Sequence, residues 1–146
     1  MEKNPTIIPV VAGALQREDG LWLMHRRPAH KHHGGLWEFP GGKVETTETQ
    51  REALLRELQE ELGITVVLDS DFPIAEAREE KSSGSQSIVI ALYTCRSWEG
   101  EPRALEGGRI GWFSPNEIRR LDKPPLDLVL VEKLFAELTD KGLQRR

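Results

Sequence analysis

Three glutamates, Glu57, Glu60 and Glu61, are the residues whose type and spacing point most directly to chemistry. On a helix, successive residues are about 100° apart, so the three share one arc beside an apolar face that includes Leu54 and Leu58. Carboxylate oxygens are the ligands that Mg²⁺ and Mn²⁺ prefer. The arc therefore predicts a divalent-cation site, and the alternative is a solvated acidic helix face.

The position of these glutamates along the helix favours the cation site. We expect the helix to begin after an N-cap at Thr47, with Gln50 completing a capping box, and to end at Gly63. Glu60 and Glu61 then lie near the C-terminal end, where the helix dipole favours cations over carboxylates. A face selected only for helix stability would carry Lys or Arg there.

The sequence around this helix resembles the signature of the Nudix hydrolases. Gly42 is followed after five residues by Glu48, and after seven more residues the run Arg56–Ile64 begins. Together they supply every fixed position of that pattern. The similarity extends outward, since Leu36–Glu45 and Trp98–Pro102 resemble the MutT-like branch of the family.

This resemblance implies an α+β fold, an α/β/α sandwich with a mixed β-sheet in which a loop–helix–loop binds Mg²⁺, or Mn²⁺ in its place. It implies that Glu57 lies where MutT-like members have their proposed general base. It also implies that Glu48 and Arg56 pair and, with Gly42, support the site without being catalytic. The implied catalytic residues are Glu57, Glu60 and Glu61, and the implied metal ligands are these three, the Gly41 carbonyl and Glu106.

The chemistry implied by such a site is hydrolysis of a diphosphate linkage. Metal ions neutralise phosphate oxygens and lower the pKa of bound water toward neutrality, and a carboxylate then accepts a proton from that water. We expect a nucleoside triphosphate to be cut to monophosphate and pyrophosphate. A non-catalytic, nucleotide-binding Nudix module is the competing class, but such a module would be expected to lack one of the three glutamates.

The resemblance also implies a nucleotide-binding set of Arg27, Glu38, Phe39 and Asp127. Arg27 would contact the phosphate or sugar, or belong to a solvated loop, and Phe39 would stack on the base or belong to the core. Asp127 stands where members that hydrolyse 8-oxo-dGTP carry an Asn. An ionised Asp only accepts hydrogen bonds, which suits cytosine N4, although guanine N1 and N2 also donate. Capping of the last helix is the alternative role for Asp127.

The predicted substrate is therefore a small nucleotide. We expect 8-oxo-dGTP or a related damaged purine deoxynucleotide, whose removal would sanitise the precursors of DNA. The alternative is a pyrimidine triphosphate such as CTP or 5-methyl-dCTP.

A basic stretch over residues 25–33 contains all four histidines of the chain. Zinc binding within this stretch is disfavoured, because no Cys lies near it and its histidines lack zinc-finger spacing. An anion-facing patch is the favoured interpretation, with a solvated loop as the alternative.

The remaining sequence predicts the elements that must position these residues. Ile7–Leu15 and Leu21–His25 flank the turn signal Asp19-Gly20 and are expected to form a hairpin. A short helix is expected after Ser114 and a last, amphipathic helix after Pro125. Further strands are expected at Ile64–Leu68, Phe72–Ala77, Ile88–Cys95 and Arg109–Phe113.

Composition bounds the class of protein. The chain has 146 residues and a formal net charge of −4, which indicates one globular domain over residues 1–146 and argues against binding to a nucleic acid polymer or an anionic membrane. The lone Cys95 cannot form an internal disulfide and is expected to be a small buried residue. We expect a cytoplasmic monomer or homodimer with no membrane segment.

Overall fold

The structure is a computed structural model that describes residues 6–79 and 86–144, with side chains up to residue 139. None of the helices in these ranges is long and apolar enough to span a membrane. The strands are β1 (Ile7–Leu15), β2 (Trp22–Arg26), β3 (Trp37–Glu38), β4 (Gly41–Lys43), β5 (Thr65–Val67), β6 (Ala75–Arg78), β7 (Ser87–Cys95), β8 (Ser97–Glu99) and β9 (Arg109–Phe113). The helices are α1 (Gln50–Leu62), α2 (Pro115–Arg120) and α3 (Pro125–Gln144).

The strands form a mixed sheet and two smaller antiparallel sheets. The mixed sheet has the order β4-β1-β7-β6, in which β1 and β7 are parallel and the other pairs are antiparallel. The second sheet has the order β3-β2-β9, and β5 pairs with β8. The predicted mixed sheet is confirmed.

Helices cover both faces of the mixed sheet. On one face, Val11 and Leu15 of β1 belong to the same buried cluster as Leu58 of α1. On the other face, Ala12 belongs to a cluster with Leu134 of α3. Because neighbouring residues of a strand point to opposite faces, β1 is buried on both sides. The predicted α/β/α sandwich is confirmed.

The predicted hairpin between the first two strands is wrong. β1 and β2 lie in different sheets and are joined across the turn by an isolated bridge between Gln16 and Trp22, with the Arg17 N–H donating to the Leu21 carbonyl. A strand that is apolar on both faces is typical of a sheet centre, where both of its edges take neighbours. The edges of β1 are occupied by β4 and β7.

The predicted start of α1 is also wrong, by two residues. Thr49 is the N-cap, and it forms a capping box in which its hydroxyl accepts from the Glu52 N–H at 3.1 Å and the Glu52 carboxylate accepts from the Thr49 N–H at 2.9 Å. The later start leaves Glu48 in the preceding loop. The helix ends as predicted at Gly63, whose φ of 72° lies in the left-handed region that glycine adopts without strain.

Most of the other predicted elements are present, with some changed ends. α2 begins after Ser114 with a capping box to Glu117, as expected. The strand expected from Phe72 begins at Ala75 instead, because Phe72 is 78% exposed and Pro73 has no N–H for a sheet. Strands β3, β4 and β8 were not predicted, since two or three residues carry no periodic pattern.

Cys95 is fully buried in the core at the end of β7. Burial raises the pKa of its thiol to about 12, so the thiol stays protonated at neutral pH and is a poor nucleophile. The expected structural role of this residue is confirmed.

Candidate active site

Two glycines of β4 allow close contacts with different neighbours, Gly42 with α1 and Gly41 with β1. A Cβ placed on Gly42 would lie 2.3 Å from Cδ of Glu57, and a Cβ placed on Gly41 would lie 2.0 Å from the Val11 carbonyl oxygen. Non-bonded heavy atoms do not approach this closely. Glycine at position 42 therefore lets the Glu57 carboxylate rest directly on β4, and glycine at position 41 lets β4 lie close to β1.

The Arg56 guanidinium holds three carboxylates of the site together. It donates to Glu48 from Nε at 2.6 Å and from Nη2 at 2.8 Å, and from Nη1 to Glu57 at 3.0 Å and to Glu60 at 3.2 Å. The Arg56 hydrogen bond lowers the pKa of Glu48 to about 2. This fork fixes the loop before α1 to the face of α1 that carries Glu57 and Glu60.

Glu61 is buried, in contrast to Glu60, whose side chain is half-exposed. Its Oε2 accepts from the Gly41 N–H at 3.1 Å, and burial raises its pKa to about 7. Burial also raises the pKa of Glu57 above its ordinary value, although Arg56 opposes this rise. The carboxylates of α1 thus combine an exposed, a partly buried and a buried oxygen pair within one turn and a half of helix.

The loop that carries Glu106 is anchored to the C-terminal end of α1. The Leu105 N–H donates to the Glu61 carbonyl at 3.0 Å, and the Arg103 N–H donates to the Leu62 carbonyl at 3.1 Å. The negative charge of Glu106 contributes to the raised pKa of both Glu57 and Glu61. The sequence prediction had placed Glu106 with these two residues, and the fold brings it within electrostatic range of them.

The residues predicted to bind the nucleotide also come together, at β3 and the start of α3. Arg27 Nη1 donates to both oxygens of Glu38, at 3.2 and 3.3 Å. The Phe39 N–H donates to Asp127 Oδ2 at 3.0 Å, so the Asp127 carboxylate, in the first turn of α3, bonds to the residue that follows β3. Asp127 is only 6% exposed, and burial raises its pKa to about 7. The Phe39 ring is buried in the core, so its stacking on a base stays a prediction.

Comparison with known proteins identifies the family. A model of the NUDIX domain matches residues 6–134 of the chain. The chain belongs to the Nudix family. The family predicted from the sequence motif is thereby confirmed, together with the class of hydrolase that acts on acid anhydrides.

Individual Nudix relatives cover nearly the whole chain. The CTP pyrophosphohydrolase of Escherichia coli K12 is 37% identical over 130 residues, which cover 89% of this chain and 93% of the relative. The 8-oxo-dGTP diphosphatase of the same strain is 34% identical over 127 residues, 87% of this chain and 95% of the relative. The solution structure of the E. coli ORF135 protein has a TM-score of 0.79 and 37% identity, covering 90% of this chain and 91% of that one.

Nudix hydrolases generally need a divalent metal ion, and the donors around α1 fit one. Glu57, Glu60 and Glu61 supply hard oxygen ligands from one helix, and Gly41 and Glu106 flank them. Arg56 neutralises only part of this negative charge, because its carboxylate partners include Glu57 and Glu60 but not Glu61. Such a donor set is suited to Mg²⁺ or Mn²⁺.

One residue beside this Nudix helix was not predicted as a site residue. His25, on β2, pairs in register with Glu38 of β3, and its Nδ1 lies 3.4 Å from Oε1 of Glu61. In the sequence, His25 begins the basic stretch that also contains the exposed histidines of the following loop. His25 could have been distinguished from the loop histidines by its position at the end of a predicted apolar strand, which favours burial.

Proposed function

We propose that this Nudix protein hydrolyses nucleoside triphosphates to nucleoside monophosphate and pyrophosphate, using Mg²⁺ or, in its place, Mn²⁺. The observation that carries the proposal is the arrangement of three helix carboxylates, one buried and two held by Arg56, against the glycine-lined edge of β4. We place the activity in the cytoplasm, where free nucleotides are found.

Glu57, Glu60 and Glu61 are the proposed metal ligands, with the Gly41 carbonyl and Glu106 completing the set. The bound ion would neutralise charge on the phosphate oxygens and lower the pKa of water. The Gly41 N–H holds one oxygen of Glu61 at 3.1 Å and so limits rotation of that carboxylate. Ligand positions fixed before the substrate arrives reduce the reorganisation needed during the reaction.

Glu57 is the proposed general base. Its pKa is raised by burial and lowered by Arg56, so the group has both proton affinity and a fixed orientation. The Arg56 N–H at 3.0 Å occupies Oε1. A proton from the attacking water would therefore be accepted at Oε2. Glu48 and Gly42 support this geometry and take no part in the chemistry.

Arg27, Glu38, Phe39 and Asp127 are the proposed nucleotide-binding residues. We favour 8-oxo-dGTP or a related damaged purine nucleotide as the substrate, because Asp127 and guanine can form complementary hydrogen bonds. A carboxyl with a pKa of about 7 is partly protonated at neutral pH, and a protonated carboxyl both donates and accepts. Removal of such a nucleotide would keep damaged precursors out of DNA.

A pyrimidine triphosphate such as CTP or 5-methyl-dCTP is the second candidate. The ionised form of Asp127 only accepts hydrogen bonds, which suits the exocyclic amine of cytosine. The similarity to a CTP pyrophosphohydrolase supports this candidate, and the similarity to an 8-oxo-dGTP diphosphatase supports the first.

The proposal is tested by measuring pyrophosphate release with Mg²⁺ on a panel of canonical and damaged dNTPs and NTPs. The panel is ranked by kcat/KM for the wild type and for Asp127→Asn. We expect turnover of at least one nucleotide and a changed ranking in the variant, because an Asn amide donates and accepts at any pH.

Two results would overturn parts of this proposal. Tight nucleotide binding without turnover of any member of the panel would identify a non-catalytic binding module. An unchanged ranking for Asp127→Asn would remove Asp127 from base recognition and leave it with its hydrogen bond to Phe39.

A further inference from the structure

A buried histidine directs an unbonded nitrogen toward two carboxylates. His25 is 6% exposed, and its Nε2 lies 3.0 Å from the Gly107 carbonyl oxygen. Because a carbonyl only accepts, the Nε2 atom carries the hydrogen. Nδ1 is then left facing Glu61 Oε1 at 3.4 Å and Glu38 Oε2 at 3.5 Å, and it is buried without a hydrogen-bond partner.

His25, Glu38 and Glu61 lie close enough together to offer a metal ion one ligand atom each. These ligand atoms all lie within 4.8 Å of one another. Two ligands bound at about 2.1 Å with a tetrahedral angle between them lie about 3.4 Å apart. The two distances from Nδ1 match this spacing, and both are longer than the 2.7–3.2 Å range of direct N–H···O hydrogen bonds.

The surroundings of His25 are those of a metal-binding imidazole. A histidine that binds metal almost always donates its other ring N–H to a carbonyl or carboxylate, which fixes the tautomer and the ring orientation. The Gly107 carbonyl takes this part for His25. The second oxygen of Glu61 is held by the Gly41 N–H, and Glu38 is held by Arg27. Neighbouring residues therefore orient all three side chains that would bind the metal ion.

We propose that His25, Glu38 and Glu61 form a binding site for Zn²⁺. One imidazole nitrogen and two carboxylate oxygens suit a borderline ion such as Zn²⁺ better than Mg²⁺, which is bound mainly through oxygen ligands. The proposed Mg²⁺ set contains neither His25 nor Glu38. The two sites share Glu61, so Zn²⁺ at this position takes an oxygen of a Nudix-helix carboxylate.

The test uses the full chain, metal-free and labelled with ¹⁵N, and follows the ring nitrogens of its four histidines by NMR as Zn²⁺ is added. The result expected is a change of the His25 Nδ1 signal, complete at one equivalent, while the Nε2 hydrogen is retained. His30, His32 and His33 lie on the exposed loop and act as internal comparisons. The same titration with Mg²⁺ should leave the His25 Nδ1 signal without the change caused by direct ligation.

A matched pair of variants sharpens the test. His25→Gln should lower the Zn²⁺ affinity at least about tenfold, since even the loss of an outer-shell partner commonly costs that much. His30→Gln changes an exposed histidine and should leave the affinity unchanged. Both affinities are measured by calorimetric titration of the metal-free proteins.

The proposal is overturned if Zn²⁺ leaves the His25 ring signals in place, shifts the exposed histidines first, or binds His25→Gln as tightly as the wild type. The wild-type NMR titration needs no variant, so poor folding of His25→Gln would not obscure the answer. Pyrophosphate release with Mg²⁺ decides the proposed function separately, because it requires no ligation by His25.

Discussion

The carboxylates of the candidate site fall into two groups with different surroundings. Glu48, Glu57 and Glu60 share the Arg56 guanidinium. Glu61 and Asp127 are 6% exposed, and each accepts a backbone N–H, from Gly41 and from Phe39 respectively. We call these the arginine-held group and the buried group. The positive charge of Arg56 organises the first group, and burial with backbone hydrogen bonds organises the second.

This difference gives the two groups opposite effects of pH on stability. In the arginine-held group, Glu48 has a pKa of about 2 in the folded protein, below its ordinary 4.5. Its contribution to the free energy of unfolding is therefore present above pH 4.5 and is lost as the pH falls toward 2. In the buried group, Asp127 has a pKa of about 7 in the folded protein, above its ordinary 3.8. Its contribution to the free energy of unfolding is therefore present below pH 3.8 and is lost as the pH rises through 7.

Removal of the Arg56 guanidinium should break the arginine-held group. In Arg56→Gln, the carboxylates lose the donors that orient them, and we expect kcat for pyrophosphate release to fall by about a hundredfold, the loss caused by misplacing a reacting group by about 1 Å. Arg56→Lys keeps the positive charge without the planar guanidinium, so its kcat should lie between those of Arg56→Gln and the wild type. Wild-type kcat in Arg56→Gln would mean that Glu57 is oriented by other contacts.

Neutralisation of Asp127 should remove its part of the pH dependence. The free energy of unfolding of the wild type should decrease between pH 4 and pH 8 relative to Asp127→Asn, by up to about 4 kcal/mol at 1.36 kcal/mol per pKa unit. Asp122→Asn, which changes an exposed neighbour, should keep the wild-type slope. Urea unfolding at a series of pH values measures all three proteins. Parallel curves for wild type and Asp127→Asn would contradict the raised pKa.

The N-cap of α1 should show the smallest effect. Thr49→Ala removes the hydroxyl that caps α1 and should lower the free energy of unfolding by about 1 kcal/mol. Thr47→Ala lies outside the cap and serves as its control, with little expected change. Urea unfolding of the two variants measures this difference. A larger loss of unfolding free energy for Thr47→Ala than for Thr49→Ala would instead support an N-cap at Thr47.

The sequence was informative where residues close in the chain act together. The Nudix helix and its end at Gly63 follow from local spacing, and the pairing of Glu48 with Arg56 follows from the resemblance to the family signature. The N-cap was ambiguous for a physical reason: Thr47 with Gln50 and Thr49 with Glu52 both satisfy the capping-box spacing. The structure selects the second pair.

The sequence was uninformative where distant elements meet. His25 faces Glu38 only because β2 pairs with β3, and β3 is two residues long. Asp127 reaches Phe39 across 88 positions of the chain. The predicted first hairpin was wrong for the same reason, since the partners of β1 are β4 and β7, both more distant in the sequence than β2. Local patterns carry no information on such pairings.

The central claim is that Glu57 acts in Mg²⁺-dependent hydrolysis, and pyrophosphate release by Glu57→Gln tests it most directly. On the preferred nucleotide of the panel, we predict that kcat falls at least about a hundredfold, as expected when a general base is lost, while the unfolding midpoint stays near that of the wild type. Glu137→Gln, on the exposed face of α3, should retain wild-type kcat. Near-wild-type kcat in Glu57→Gln would contradict the account.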